Sequence, residues 1–324
     1  MQGVRFPRIG YYMSEDKFKN NSWELVMQAG EEMGVTFIKM DLEKDLADQG
    51  PFDRVVHKMT DELVAENTDE RARQRLERLA TYLSAHPGIL DSEPVAKQRG
   101  FLQREKLCEL LAELSNDLKR KDDGSKVQCP NYLVVHERSP CYSPDLDRAS
   151  IQFPVITKSL PACGSAYSHT MGVVLTEEGL HAFDPPFLIQ EYYNHNCILF
   201  KVFIIGDFLH VVRRPSLRNF DPRTEHGLKQ EDLIFNSQDP PPPHLFDGSI
   251  ALEDVSRWPN PPEQVLRALN RGLQEHFGVH LLGFDVITQV ETGRYAVVDV
   301  NFFPSYKGVP NMGKRMASFL AGCT

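Results

Sequence analysis

Cysteine, positive charge and long apolar runs are all in short supply in this chain, and each shortage removes a class of protein. The six cysteines, at 108, 129, 141, 163, 197 and 323, form no CxxC pair and no paired His motif. Neither a zinc site nor a disulfide framework is therefore expected. The best candidate for a membrane span, CILFKVFIIG, is interrupted by Lys201 and is far shorter than the roughly 20 residues a spanning helix needs. The N-terminal MQGVRFPRIGYY lacks the apolar core of a signal peptide, so a reducing, cytoplasmic setting is expected. With 36 Lys and Arg against 45 Asp and Glu, the net charge is −9. That balance argues against nucleic-acid or membrane partners but leaves room for a local basic pocket. No GxxxxGK[ST] phosphate loop is present, and no repeat of solenoid length is visible.

What is present is enough apolar material for a sizeable interior: 41% of 324 residues are hydrophobic, and a chain of this length divides into two or three subdomains. RIGYYM, VTFIKMDL and FDRVVHKMTD read as strands. Between and after them lie a helix over 22–33, with Leu25, Val26 and Ala29 as its stripe, and a second helix capped by Thr68 and ended by Pro87. A third helix spans 101–119, and strands then dominate: NYLVVH, FPVITKSL, MGVVL, FLIQEYY and the hairpin ILFKVFII/FLHVVRRP. The proline-rich segment 216–262 is expected to be irregular and to act as a lid. A helix over 263–277 stops at Gly278, and two strands joined near Thr292 complete the pattern. The fold class is α/β (α+β).

Three constellations could carry chemistry. In AVVDVNFF, strand alternation puts Val297, Asp299 and Asn301 on one face. A hairpin turn near Thr292 would set Asp285 directly opposite Asp299. One Asp at a strand end is commonly just solvated, but two facing carboxylates repel, and with Asn301 they offer the hard oxygen ligands that magnesium prefers. The second constellation, ITKSLPACGSAYSHTMGVVL, holds Lys158 on a strand, a small-residue loop through Gly164, and His169. Small residues let backbone N–H groups approach phosphate, although one Gly in a hairpin is usually only a turn and a lone His is usually structural. The third, FLIQEYYNHNCILFKVFIIG, brings Gln190, Glu191 and Tyr192 after an apolar strand and sets Lys201 inside another. A lysine there either snorkels to water or meets an anion.

Taken in order, the lysine strand, small-residue loop, QEYY linker, second lysine strand and terminal D…DVN resemble an ATP-grasp enzyme. The words GYYMSEDKFK, HKMTD, SHTMGVVL, NHNCILFKVFIIG, RRPSLRNF, FNS, GFDVI and VVDVNFFPSYKGV are similar to the inositol 1,3,4-trisphosphate 5/6-kinase family over nearly the whole chain. The resemblance implies three subdomains: an N-terminal α/β domain at 1–105, a central ATP-grasp subdomain at 106–191 and a C-terminal one at 192–324. ATP would lie between the last two. The implied activity is transfer of the γ-phosphate to a hydroxyl of an inositol polyphosphate, by a monomer using ATP and two magnesium ions. Carried over by position, Arg104, Lys158, Gln190, Tyr192, Lys201, Ser216 and Ser237 would hold the nucleotide. Lys17, Lys58, Gly164, His169, Lys201, Asn301 and Ser305 would meet the acceptor, and Asp285, Asp299 and Asn301 the metal. Lys201, His169 and Asp299 would be catalytic.

Two departures from the family stand out. Its usual His-Gly-Thr-Asn run is replaced by Cys163-Gly164-Ser165-Ala166-Tyr167, and its Gly after NxFP by Ser305. Both bear on acceptor preference. Two alternatives share most of these residues: an ATP-grasp carboxylate-amine ligase, which has no need of Lys17 and Lys58, and an inactive inositol-phosphate binder, which has little use for a magnesium site.

Overall fold

The computed structural model describes residues 7–120, 126–161, 166–225, 227–237, 239, 242–246 and 259–322. Strands β1 (Arg8–Tyr12), β2 (Thr36–Lys39), β3 (Arg54–His57) and β4 (Leu90–Asp91) form a parallel sheet in the order β2-β1-β3-β4. Next come β5 (Val127–Gln128), β6 (Tyr132–Val135), β7 (Val155–Ser159), β8 (Thr170–Val174) and β9 (Phe187–Glu191). The chain continues through β10 (Ile198–Ile205), β11 (Phe208–Pro215), β12 (Ile234–Asn236), β13 (Leu281–Thr288) and β14 (Tyr295–Phe302). An antiparallel sheet, β12-β8-β7-β9-β6, faces a second one, β11-β10-β13-β14-β5, in which only the short β14/β5 pair is parallel.

Parallel strands need crossovers, and helices supply them: Trp23–Glu32 between β1 and β2, and Thr60–Ala65 with Glu70–Ala85 between β3 and β4. The second of these long helices is capped by Asp69, whose side chain accepts from the Arg71 N–H. Thr68, the residue expected there, turns its hydroxyl back to the Ala65 carbonyl instead. Leu25 also departs from expectation. It is 54% exposed, while Val26 and Ala29 are buried, because neighbours on a helix point about 100° apart. The Leu25 backbone lies against the helix Met312–Ala321, where a Cβ on Gly313 would come within 2.4 Å of the Leu25 carbonyl oxygen.

Helices Arg104–Arg120 and Glu263–Phe277 cross at Gly272, where a Cβ would meet a Leu114 methyl at 2.2 Å. Their leucines join one core that runs from Ile9 and Tyr11 of the first sheet and Trp23 of the helix packed on it to Phe203, Leu282 and Met316. The N-terminal sheet is thereby fixed to the sheet carrying β13 and β14. Among its described residues, segment 216–262 is largely irregular, as expected, with a few short regular pieces. β12 adds an edge to β8, and a short 3-10 turn, Pro243–Leu245, buries Leu245. Residues 247–258, in the C-terminal third of the expected lid, lie outside the described residues.

Candidate active site

A cavity of about 640 Å³ opens between the two antiparallel sheets, with its outer end against the N-terminal sheet. Its floor is β14. The register pairs Lys201 with Asp285 and Asp285 with Asp299, so one row of side chains crosses β10, β13 and β14. Asp285 opposite Asp299 is the pairing that the turn near Thr292 predicts. The turn itself closes with Gly293 at φ +67°, a left-handed position that glycine adopts without strain.

The alternation is broken at one point. Asp285 faces Asp299 but Val286 faces Val297, which leaves Val298 as the extra residue of a bulge. Val297 is therefore fully buried in the core rather than sharing the face of Asp299 and Asn301. The Val298 carbonyl, lacking an opposite residue in the ladder, accepts from Lys158 Nζ at 3.0 Å. Lys158 Nζ also donates to Gln190 Oε1 at 2.8 Å. One lysine thus bridges the two walls of the cleft.

Lys201 finds its anion within the protein: Nζ lies 3.2 Å from Asp285 Oδ1 and 3.4 Å from Oδ2. Burial raises the Asp285 pKa, Lys201 opposes the rise, and the Asp299 charge adds to it. Asp285 Oδ1 is buried without a hydrogen bond despite its nearness to Lys201. Asn301 Nδ2 donates to Asp299 Oδ2 at 3.3 Å. A buried carboxylate oxygen without a donor, beside a second carboxylate and an amide, fits a hard divalent cation that draws its remaining ligands from water and phosphate. Among the described residues no group of three or more His, Cys, Asp or Glu gathers as a metal site; this set has two carboxylates and an amide.

On the facing wall, burial lowers the Lys158 pKa, with Asp299 opposing. The His169 pKa is also lowered, first by burial and then by the Arg104 guanidinium. Arg104 Nη2 donates to the Ser168 carbonyl at 3.1 Å, while its Nε is buried without a partner. Ser237 N–H donates to the His169 carbonyl at 2.8 Å, tying the end of β12 to this wall. At the outer end, Lys58 Nζ donates to the Phe303 carbonyl at 2.8 Å, and Lys17 Nζ meets Thr60 Oγ1 at 2.5 Å and Asp61 Oδ1 at 2.6 Å.

The cavity wall includes Lys17, Lys58, Arg104, Lys158, His169, Gln190, Tyr192, Lys201, Ser216, Ser237, Asp285, Asp299 and Asn301. Ser305 is exposed and is not part of that wall. Gly164 and the rest of 162–165 lie outside the described residues, as do the side chains of Ala166 and Tyr167.

Several wall residues were not anticipated. Ile156, Met171, Leu217 and Phe235 line the inner end and belong to a small apolar cluster of their own. They make an apolar slot of the kind that takes a flat ring. Ile156 was legible, since it shares a strand face with Lys158. His195 was not. Its Nδ1 lies 2.7 Å from the Tyr193 carbonyl and its Nε2 2.8 Å from Ser216 Oγ. Burial depresses its pKa to about 4, so the ring is neutral near pH 7, with Nδ1–H donating and Nε2 accepting the Ser216 proton. Asn194 and Asn219 complete this link between the linker and segment 216–220: the Asn194 side-chain amide exchanges hydrogen bonds with the Phe220 backbone, and Asn219 Oδ1 accepts from the His195 and Asn196 N–H groups while its Nδ2 donates to Asn196 Oδ1.

Known proteins resemble this chain in both sequence and fold. The inositol 1,3,4-trisphosphate 5/6-kinase ATP-grasp domain matches residues 121–322, and the pre-ATP-grasp domain of the same kinases matches 8–96. An inositol-tetrakisphosphate 1-kinase of Xenopus laevis is 32% identical over 306 residues, covering 94% of this chain and 75% of that protein. The Danio rerio enzyme of the same name is 31% identical over 326 residues, covering 98% and 79%. Among solved structures, a RiPP-associated ATP-grasp ligase of Chryseobacterium gregarium in complex with ADP and a leader and core peptide superposes with a TM-score of 0.62 at 11% identity, covering 99% and 98%. The macrocyclase MdnC of Microcystis aeruginosa gives 0.57 at 15%, covering 97% and 99%. At such identities these structures establish the fold alone. The chain has the ATP-grasp fold and belongs to the inositol 1,3,4-trisphosphate 5/6-kinase family.

Proposed function

We propose that the protein is an inositol polyphosphate kinase that binds ATP together with magnesium in the cleft and transfers the γ-phosphoryl group to a ring hydroxyl. The observation that carries this reading is the row Lys201, Asp285 and Asp299 on the floor of a cavity that also holds Lys17, Lys58 and Lys158. Phosphoryl transfer passes through a loose transition state and asks for positioning and charge stabilisation more than for covalent help.

The chain divides that work by position. The slot of Ile156, Met171, Leu217 and Phe235 suits the base, and Lys158 and Arg104 suit the phosphates that follow it. Asp285, Asp299 and Asn301 would hold magnesium, which when bound neutralises charge on the phosphates. Lys201, anchored by Asp285 on one side, has donors left for the group in transfer. His169, kept neutral near pH 7 by burial and Arg104, can donate one N–H to a phosphate oxygen. Lys58 and Lys17 hold the acceptor end. Two lysines from the N-terminal domain at that end favour a polyanionic acceptor over the amine or peptide of an ATP-grasp ligase.

The test is incubation with magnesium-ATP and a panel of inositol tris- and tetrakisphosphates, with products identified by mass and phosphorus NMR. A new phosphate ester and one ADP per ester are expected. ADP formed only in the presence of an amine and a carboxylate would overturn the kinase assignment.

A further inference from the structure

The outer end of the cavity holds an acid among the bases. Lys17, on the helix Glu15–Asn20, places Nζ 2.6 Å from Asp61 Oδ1 and 2.5 Å from Thr60 Oγ1. Thr60 and Asp61 both line the cavity and open the helix Thr60–Ala65. Two residues earlier, Lys58 reaches the carbonyl of Phe303, itself two residues past Asn301. The Lys17–Asp61 pair therefore stands on the acceptor side of the metal-facing strand. Its partners differ in exposure: the Lys17 side chain is 16% exposed and that of Asp61 57%.

An ammonium has three donors, and Thr60 and Asp61 engage two of them, leaving one for a phosphate oxygen. Ionised Asp61 is acceptor-only, and its Oδ1 is turned to Lys17. A donor and an acceptor this close are complementary to two adjacent ring substituents of opposite character: a phosphate for Lys17 and a hydroxyl for Asp61. A phosphate in place of that hydroxyl would set two anions against each other, and like-charge contact discriminates strongly.

We propose that Asp61 is a specificity-determining residue, forming with Lys17 a subsite that takes a phosphate beside an unphosphorylated hydroxyl and rejects rings phosphorylated at both positions. The inference rests on the kinase reading for its substrate class. A carboxylate in a polyphosphate site lowers affinity for the crowded ligand more than for the sparse one, and so sets an upper limit on phosphorylation.

The test is Asp61→Asn, which keeps shape and hydrogen bonding while removing the charge, with Asp61→Ser as a second variant. Affinities for inositol tris-, tetrakis- and pentakisphosphates are measured by calorimetry, and kcat/KM by product formation, alongside the KM for ATP. In both variants the preference for pentakis- over trisphosphate should rise about tenfold or more, with the KM for ATP held within twofold. A preference unchanged within twofold would overturn the proposal. So would an equal gain on every acceptor, which would mean that Asp61 merely dampens Lys17. If the wild-type protein phosphorylates none of the panel, the kinase reading fails, and the calorimetric preferences still decide whether Asp61 discriminates.

Discussion

Replacing His195 with glutamine tests whether the linker is held by a neutral imidazole. In the folded protein the ring titrates at about 4, because burial penalises the cation, whereas an unfolded histidine titrates near 6.5. Above about pH 6.5 the ring is neutral in both states and contributes no pH dependence. As the pH falls towards 4, only the unfolded chain takes up the proton, so folding loses about 1.4 kcal/mol per unit. Over the whole interval that is about 3 kcal/mol. The glutamine amide would still accept from Ser216 but would leave the Tyr193 carbonyl without its donor, at a cost of about 1 kcal/mol near neutrality. His195→Gln should thus be the less stable protein at pH 7.5 and equal to or more stable than wild type at pH 4.5. Urea unfolding at both pH values measures this. Stability differences that stay constant between the two would refute the neutral ring.

Three further outcomes follow from the cavity floor and its rim. Lys201→Met removes the partner of a mostly buried carboxylate, so it should abolish most activity and lower stability by up to about 3 kcal/mol, read by kcat and urea midpoint; a variant as stable as wild type would show that Asp285 does not need the lysine. Lys158→Met cuts the tie from β7 to Gln190 and Val298 and should raise the KM for ATP more than the KM for the acceptor. Ser305→Gly should leave the ratios of kcat/KM among inositol phosphates within about twofold, because Ser305 is exposed and off the cavity wall.

The parts of the site that were legible are those built from regular strands. Alternation made the shared face of Asp299 and Asn301 and the pairing of Asp285 with Asp299 legible, although the ladder from Thr288/Tyr295 to Val286/Val297 would by itself set Asp285 against Val298 and reaches Asp299 only through the bulge. The bulge at Val298 was not legible, since nothing local distinguishes the extra valine from its neighbours; only the Lys158 ammonium arriving from another sheet makes use of it. Lys201 was recognised as needing an anion, but its partner Asp285 lies 84 residues away and is set by strand order. His195 and Ser216 meet beside a turn in which Asn196 and Cys197 both have positive φ, a conformation that the residue type Cys does not announce. Asp61 stood in plain view within HKMTD, yet an Asp opening a helix is ordinarily read as favourable to the helix dipole. The helix Met312–Ala321 buries Met312, Met316, Ala317 and Leu320 at helical spacing and could have been found by the same periodicity that gave Glu263–Phe277.

Asp299, in the proposed reading, belongs to a phosphoryl-transfer site for inositol polyphosphates. Asp299→Asn keeps the side-chain shape and removes the charge, so its effect on turnover with magnesium-ATP and the best inositol phosphate acceptor tests that claim most directly. A fall in kcat of about a hundredfold or more is expected, with the melting temperature no lower than that of wild type. Turnover within about threefold of wild type at limiting magnesium would contradict it.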